Sequence, residues 1–564
     1  MLLLHANESR HARYSHYLAA ILRMEGFVDF HELELAAIDA ATLAVHDLVI
    51  LPRVALAQAR AELLLNYVVA GGRLIALLPD PNFARRFGVT STWRGVDHGW
   101  LHLDASQPIL HGLPDHPVQI VVPTAGWSLS PDGGATALAQ VGAGKERAGA
   151  EAQPALVWSR AGQGETVLYA YDLAHAVARL RQGDPEHADL SYAGLDGIVR
   201  PSELFVGQLD PEQMLTPQAD VHSALLARLI ETLAPRPRLW YYPEPGQRSA
   251  LIMTSDDDWS TVEQFEALIN GLRQRQATCT FYVVPETKIN GGLIKRWEED
   301  GHTFSVHPAL DADIKRYLAV DEPQSTQVAA MLRANIERHA AEHKRPVRTI
   351  RQHAVRWLGY VDAARILADL GVAMELNYVS VHPFSLGYMA GSGRALPFVE
   401  TDGQIIPCYQ QPTMWTEEVL IHPSFVFSFK WTVERALAEV DKMVQDATGR
   451  FYTPVTINSH PVSFATYSST LIEGTWDRAR AAGMPILSPD RWLAWVQARQ
   501  AVRIEREGQR YVVHTPQALA RLTVLLPPGV TPASELPTAP IRLWGRDYRT
   551  LTQSNFTAGE RRVI

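Results

Sequence analysis

The stretch Leu251-Ile252-Met253-Thr254-Ser255-Asp256-Asp257-Asp258-Trp259 constrains this chain more than any other. Just ahead of the aspartates, Ser249–Met253 is an apolar run bounded by Pro243, Pro245 and Gly246, too short for a helix and suited to a buried strand. The run ends in three adjacent carboxylates, and packing these together costs Coulomb energy unless a cation or a shared proton relieves it. A metal ion would do so, and strand ends are where α/β barrels keep their chemistry. An N-cap and a solvated acidic turn ahead of a helix over Val262–Arg273 is the plainer account of the same residues.

At 564 residues the chain has room for two to four domains. Its formal charge of −9 offers no basic footprint, so nucleic acid is not an expected partner. Fourteen Trp and eighteen Tyr leave faces that can stack on sugar rings. The two cysteines, Cys279 and Cys408, permit one disulfide but neither a disulfide framework nor a Cys-rich zinc site. No apolar run approaches the roughly 20 residues of a membrane span. Met1–Ala6 reads as a first strand, since it is too short for a signal-peptide core and lacks a basic leader. A cytoplasmic location is therefore expected, and export of a processed form stays open. Nothing in the sequence sets an oligomeric state.

Residues 1–238 alternate strand and helix: Met1–Ala6, a helix over Tyr14–Glu25, a strand at Asp47–Leu51, a helix over Ala55–Val69 closed by Gly71-Gly72, and a strand at Arg73–Leu78. This spacing implies a parallel-sheet, Rossmann- or flavodoxin-like domain. The pattern resembles the class I glutamine-amidotransferase-like fold, whose nucleophile is a cysteine at a strand-to-helix elbow. Neither cysteine lies in this half, so thiolate chemistry is excluded there and a structural or ligand-sensing role is expected. His175, Arg179 and Arg181 read as a solvated helix face. A proline-punctuated connector, Pro235–Gly246, marks the boundary. Repeated β–α units over 239–499 suggest a distorted (β/α) barrel. Residues 500–564 lose their helix signals and read as a small β-sandwich-like domain.

Within 239–499, three more strand ends carry chemistry. Gly301–Val306 leads into His307, with Asp311 four residues on; Thr349-Ile350 leads into Arg351 and His353; Thr456–Ser459 leads into His460. A single histidine near a strand end is usually structural. Four such sites in one barrel are a poor coincidence.

The ordered set resembles the polysaccharide deacetylase (NodB-homology) family, whose fold is a distorted (β/α) barrel with a divalent metal. Thr254-Ser255-Asp256-Asp257-Asp258 stands against the family's Thr-Phe-Asp-Asp-Gly. The resemblance implies Asp256 as general base and Asp257 as metal ligand. It places His307 on the first metal histidine, Arg351 on the arginine that braces the catalytic aspartate, and His460 on the general acid. The family's second metal histidine falls on Asp311, so either Asp311 ligates or His353 completes the site. Pro485–Pro489 with Trp492 and Trp495 resembles the closing strand and helix.

The implied reaction is metal-dependent removal of an N- or O-acetyl group from a glycan. A divalent ion with carboxylate and imidazole ligands makes water nucleophilic at neutral pH and steadies the oxyanion. Zinc is the expected ion, with cobalt, nickel, manganese or iron as alternatives. Residues 377–422 mix aromatics, amides and glycines, which marks Asn377, Tyr378, Tyr388, Gln410 and Trp415 as candidate substrate contacts, or else as an insertion packed on the barrel. Two other readings compete: hydrolysis of a non-sugar C–N bond, and carbohydrate binding without turnover.

Overall fold

The computed structural model of the chain describes every residue except 8, 10, 132–133, 147–150, 192–197, 311–323, 509 and 533–535. The amino-terminal half is built on a nine-stranded sheet. His31–Glu34, Leu2–His5, Leu48–Leu51, Arg73–Leu77 and Gly164–Tyr169 lie parallel in that order. Gln153–Ala161, Thr136–Gly142, Gly99–Leu103 and Val118–Ile120 extend the sheet antiparallel. The expectation of a purely parallel sheet is thus corrected. The reversal starts at Gly162, whose φ of +61° lets a two-residue turn join Ala161 to Gly164 as a hairpin.

The central part is α/β with parallel strands but contains no closed barrel among the described residues. One sheet runs Thr303–Val306, Thr280–Val283, Leu251–Asp256, Val455–Ser459, Trp415–Thr416, with Ile486–Leu487 also against Leu251–Asp256, and every pairing is parallel. Leu251–Asp256 is buried at each position, as a central strand covered on both faces should be. The helix after it, Val262–Gln274, opens on a reciprocal Thr261–Gln264 capping box and buries Phe265, Leu268, Ile269 and Leu272.

A second sheet holds Thr349–Ile350, Met374–Glu375, Ile405–Gln410 and Leu396–Val399. Its two-residue strand Thr349–Ile350 makes no ladder with Thr303–Val306. Side chains bridge that seam. Ser305 Oγ donates to Thr349 O at 2.5 Å, and Asp490 Oδ2 accepts from the hydroxyls of Thr280, Thr303 and Thr349 at 2.9, 3.1 and 3.0 Å.

The tail forms two small sheets, and the connector joins one of them, Arg238–Leu239 pairing antiparallel with Leu519–Leu526. Arg181, expected to be solvated, is 1% exposed and donates to the backbone oxygens of Arg394 and Gln410 at 2.9 and 3.2 Å. Both cysteines are free and buried. No helix among the described residues is long and apolar enough to cross a membrane.

Candidate active site

A cavity of about 280 Å³ opens at the carboxyl ends of the central parallel strands. One face carries Asp256, Asp258, His307, Arg351, Glu418, Asn458 and His460. Four of them stand at strand ends. Asp256 ends its strand, His307 follows Val306, Arg351 follows Ile350, and His460 follows Ser459. Asn458 lies two residues before His460, and alternation along a strand turns both to one side.

Asp256 is 5% exposed, and its Oδ2 accepts from Asn458 Nδ2 at 2.9 Å, with Arg351 Nη1 at 3.9 Å. Asn458 is itself held by Thr254, whose hydroxyl donates to Asn458 Oδ1 at 2.7 Å. Arg351 Nη2 donates to Thr413 Oγ1 at 2.6 Å. His307 Nδ1 lies 2.7 Å from Arg351 O. A carbonyl can only accept, so Nδ1 carries a proton, and Nε2 faces Asp258, 3.4 Å from Oδ1.

His460 Nε2 lies 3.5 Å from Asp258 Oδ2 and 3.9 Å from Asp256 Oδ2. Behind it Glu417 Oε1, fully buried, accepts from both the His460 backbone N–H and Nδ1 at 2.8 Å.

The electrostatics follow from this crowding. Burial disfavours the His460 imidazolium, but Glu418, Glu417 and Asp258 outweigh it and raise its pKa well above the usual histidine value. His307 is also raised: burial opposes, and the Asp256 and Asp258 carboxylates prevail. Asp258 is held well below the usual carboxylate range, since His460 and His307 overcome the cost of its burial. Glu418 goes the other way, to about 7, because burial outweighs the pull of His460. Burial, with His307 adding to it, lowers His353 to about 4.

Asp257, expected as a metal ligand, is not in this cup. Its oxygens accept from the Ser260 and Val284 backbone amides at 3.0 and 3.3 Å, and burial lifts its pKa to about 6. The neighbouring Asp258 takes the place instead. It and Trp259 sit at φ of 43° and 57°, a left-handed turn that costs a non-glycine residue about 1 kcal/mol and swings the Asp258 carboxylate into the cavity. Ala354 and Val355 on the facing wall are left-handed too, at 55° and 47°. His353 lies at the wall with its ring edge-on to His307, centroids 5.6 Å apart. Asp311 falls outside the described residues.

The candidate substrate residues are placed elsewhere, all of them 1% exposed or less. Asn377 Nδ2 donates to Arg356 O, and Gln410 Nε2 to Arg181 O. Tyr378 packs edge-on to Trp357, while Tyr388 and Trp415 belong to core clusters. These five side chains are packing, while the same stretch sends Val379, Val381, Glu418 and Val419 to the cavity and Glu417 behind His460.

Sequence reasoning missed Asp258, Glu417, Glu418 and Asn458. Alternation along the strand Val455–Ser459 signals Asn458; Asp258 lies past its strand on a left-handed turn that spacing does not reveal, and the two glutamates follow a strand of only two residues, Trp415–Thr416, too short to signal anything. Missed too were Ile198 and Arg200, which the amino-terminal half contributes to the cavity.

The donor set fits a divalent ion. One ligand atom each of Asp258, Glu418 and His460 lies within 4.8 Å of the others, His307 Nε2 stands beside Asp258, and the buried Asp256 Oδ1 and Asp258 Oδ1 have no hydrogen-bond partner.

No family model matches the chain, and no curated protein matches it. Among solved structures, a candidate polysaccharide deacetylase from Mycobacterium smegmatis is similar at 13% identity and a TM-score of 0.35, over 48% of this chain and 96% of that one. A β-galactosidase from Bacillus circulans sp. alkalophilus is similar at 14% identity and a TM-score of 0.23, over 28% of this chain and 25% of that one. A CE4-family pseudoenzyme from Bacillus anthracis is similar at 12% identity and a TM-score of 0.25, over 44% and 66%. Likenesses this distant define no family and no activity for the chain.

Proposed function

We propose that the protein is a metal-dependent hydrolase that cleaves an acyl–nitrogen or acyl–oxygen bond, of the kind that removes an acyl group from a glycan. The observation that carries this reading is one cup holding a hydrogen-bonded carboxylate, a carboxylate–imidazole ligand set, and an imidazole backed by a buried glutamate. Asp258 and Glu418 would hold the ion, with His307 Nε2 beside Asp258 as the imidazole that can join them. Bound there, it would supply Lewis acidity, lowering the pKa of water and stabilising an oxyanion. With its N/O donors the site suits zinc, or else cobalt, nickel, manganese or iron.

The remaining residues move protons. Asp256 Oδ2 is aimed by Asn458 and faces Arg351, so its carboxylate can take the proton of the attacking water. His460 is kept protonated by the carboxylates around it, and its Nε2 can give a proton to the departing amine or alkoxide. Glu417 fixes the orientation of that imidazole and stabilises its charge.

Elemental analysis and acyl release test the reading together. Wild type should carry about one transition metal per chain. Asp258→Asn and His307→Ala should lose it, whereas Asp257→Asn should retain it. His460→Gln should keep the metal while kcat falls by about 10²–10⁴-fold. Metal-free protein with no release from any acylated amine or ester would sink the proposal.

A further inference from the structure

The second face of the cavity is unlike the first. Val379 and Val419, 2% and 1% exposed, form part of its floor beside the polar groups, and Ile198, Val355, Val381 and Phe425 carry the apolar surface outward. Among the described residues no tryptophan or tyrosine lines the cavity, and the aromatic residues expected to stack on a sugar are buried elsewhere. A small neighbouring pocket shares Val381 and Phe425 and adds Phe427, with Arg200, Glu203 and His382 as its polar lining.

An acyl carbon under attack has two further substituents. Its leaving atom has to reach a proton donor, and the donors stand on the polar face. The acyl chain is then left to the valines. A buried apolar floor loses contacts when nothing fills it, and a bare acetyl methyl fills little of a cavity this size.

Resting on the hydrolase reading above, we infer that the substrate's acyl group is an aliphatic chain longer than acetyl, seated against Val379 and Val419 and directed toward Val381 and Phe425. Selectivity then comes from the acyl chain, not from ring stacking.

The test uses the full-length protein loaded with Zn²⁺ and two sets of probes. Para-nitrophenyl acetate, butyrate and hexanoate report turnover. The acids acetate, butyrate and hexanoate report binding by calorimetry, which needs no turnover. The expected kcat/KM rises about four-fold per added methylene, the equivalent of about 0.8 kcal/mol, until the cavity is full, and the acids bind in the same order. Val379→Phe should lower the butyrate-to-acetate ratio by ten-fold or more. If that variant does not fold, Val381→Phe at the half-buried rim should lower the hexanoate-to-acetate ratio.

Acetate as the best ester, with acids that bind alike at every length, would overturn the inference and leave the hydrolase reading intact. A preference that survives both valine substitutions would overturn it as well. Acids that bind in chain-length order to a protein that hydrolyses neither these esters nor any acylated amine would support the acyl seat and overturn the hydrolase reading.

Discussion

At the scale of single residues, the centre depends on a turn that L-amino acids avoid. Asp258 reaches the cup because it and Trp259 adopt left-handed backbone, while Asp257 is spent on the amides of Ser260 and Val284. Three identical side chains in a row hide that division, since only the path of the backbone separates them. Behind the site, Glu375 is fully buried; one oxygen accepts from the Asn377 amide at 2.8 Å and the other has no partner. Burial pushes its carboxyl up to about 8, against the Asn377 amide and the Arg351 and Arg181 charges. The folded state therefore holds a proton that the unfolded chain releases above about 4.5. With fewer protons bound in the unfolded state, stability falls as pH rises through that window, by about 1.4 kcal/mol per unit from this group. Glu375→Gln keeps the neutral amide-like shape and should flatten the decline of Tm between pH 5 and pH 8. An unchanged slope would show that the carboxyl is ionised in the fold.

At the scale of elements, chemistry gathers at the carboxyl ends of strands that are far apart in the chain. Strand Leu251–Asp256 pairs with Thr280–Val283 on one side and Val455–Ser459 on the other, which sets Asp256 and His460 within reach. These strands were legible as short apolar runs between turn signals, and their terminal Asp and His residues with them. The failure to close a barrel was not legible, because it depends on a two-residue strand and on side chains that meet only in three dimensions. Asp490, in the first turn of the helix Pro489–Ala501, is the tie across that seam. Asp490→Ala should leave hydroxyls of both sheets unpartnered and cost about 3 kcal/mol, read as a lower midpoint in urea. Because the seam lies behind the cup, some loss of activity should accompany it.

At the scale of the whole molecule, the three segments share one core. A single cluster of buried residues runs from Leu3 and Leu18 through Trp240 and Trp492 to Trp544. Buried charges reinforce it: Arg394 pairs with Glu25 at 2.5 Å, Glu25 with Arg238 at 3.2 Å, and Arg238 with Glu231 at 2.8 Å. Calorimetry should therefore show one cooperative transition for the full chain, where loosely tethered domains would give two. Arg394→Met should lower stability by about 3 kcal/mol, since it takes from the buried Glu25 carboxylate the nearer of its two arginines. The amino-terminal half also supplies Ile198 and Arg200 to the cavity, so it helps to shape the site and does more than support it.

The sequence alone determined which strand tips carry acids and imidazoles, and their order along the chain, because a buried strand and its polar end leave a local signature. Tertiary structure decided which of three adjacent aspartates enters the cup, that Glu417 backs His460, and that Asn377, Tyr378, Tyr388, Gln410 and Trp415 are packing. Those outcomes depend on where the backbone reverses and on which surfaces the folded chain brings together, and neither is written in the spacing of residues.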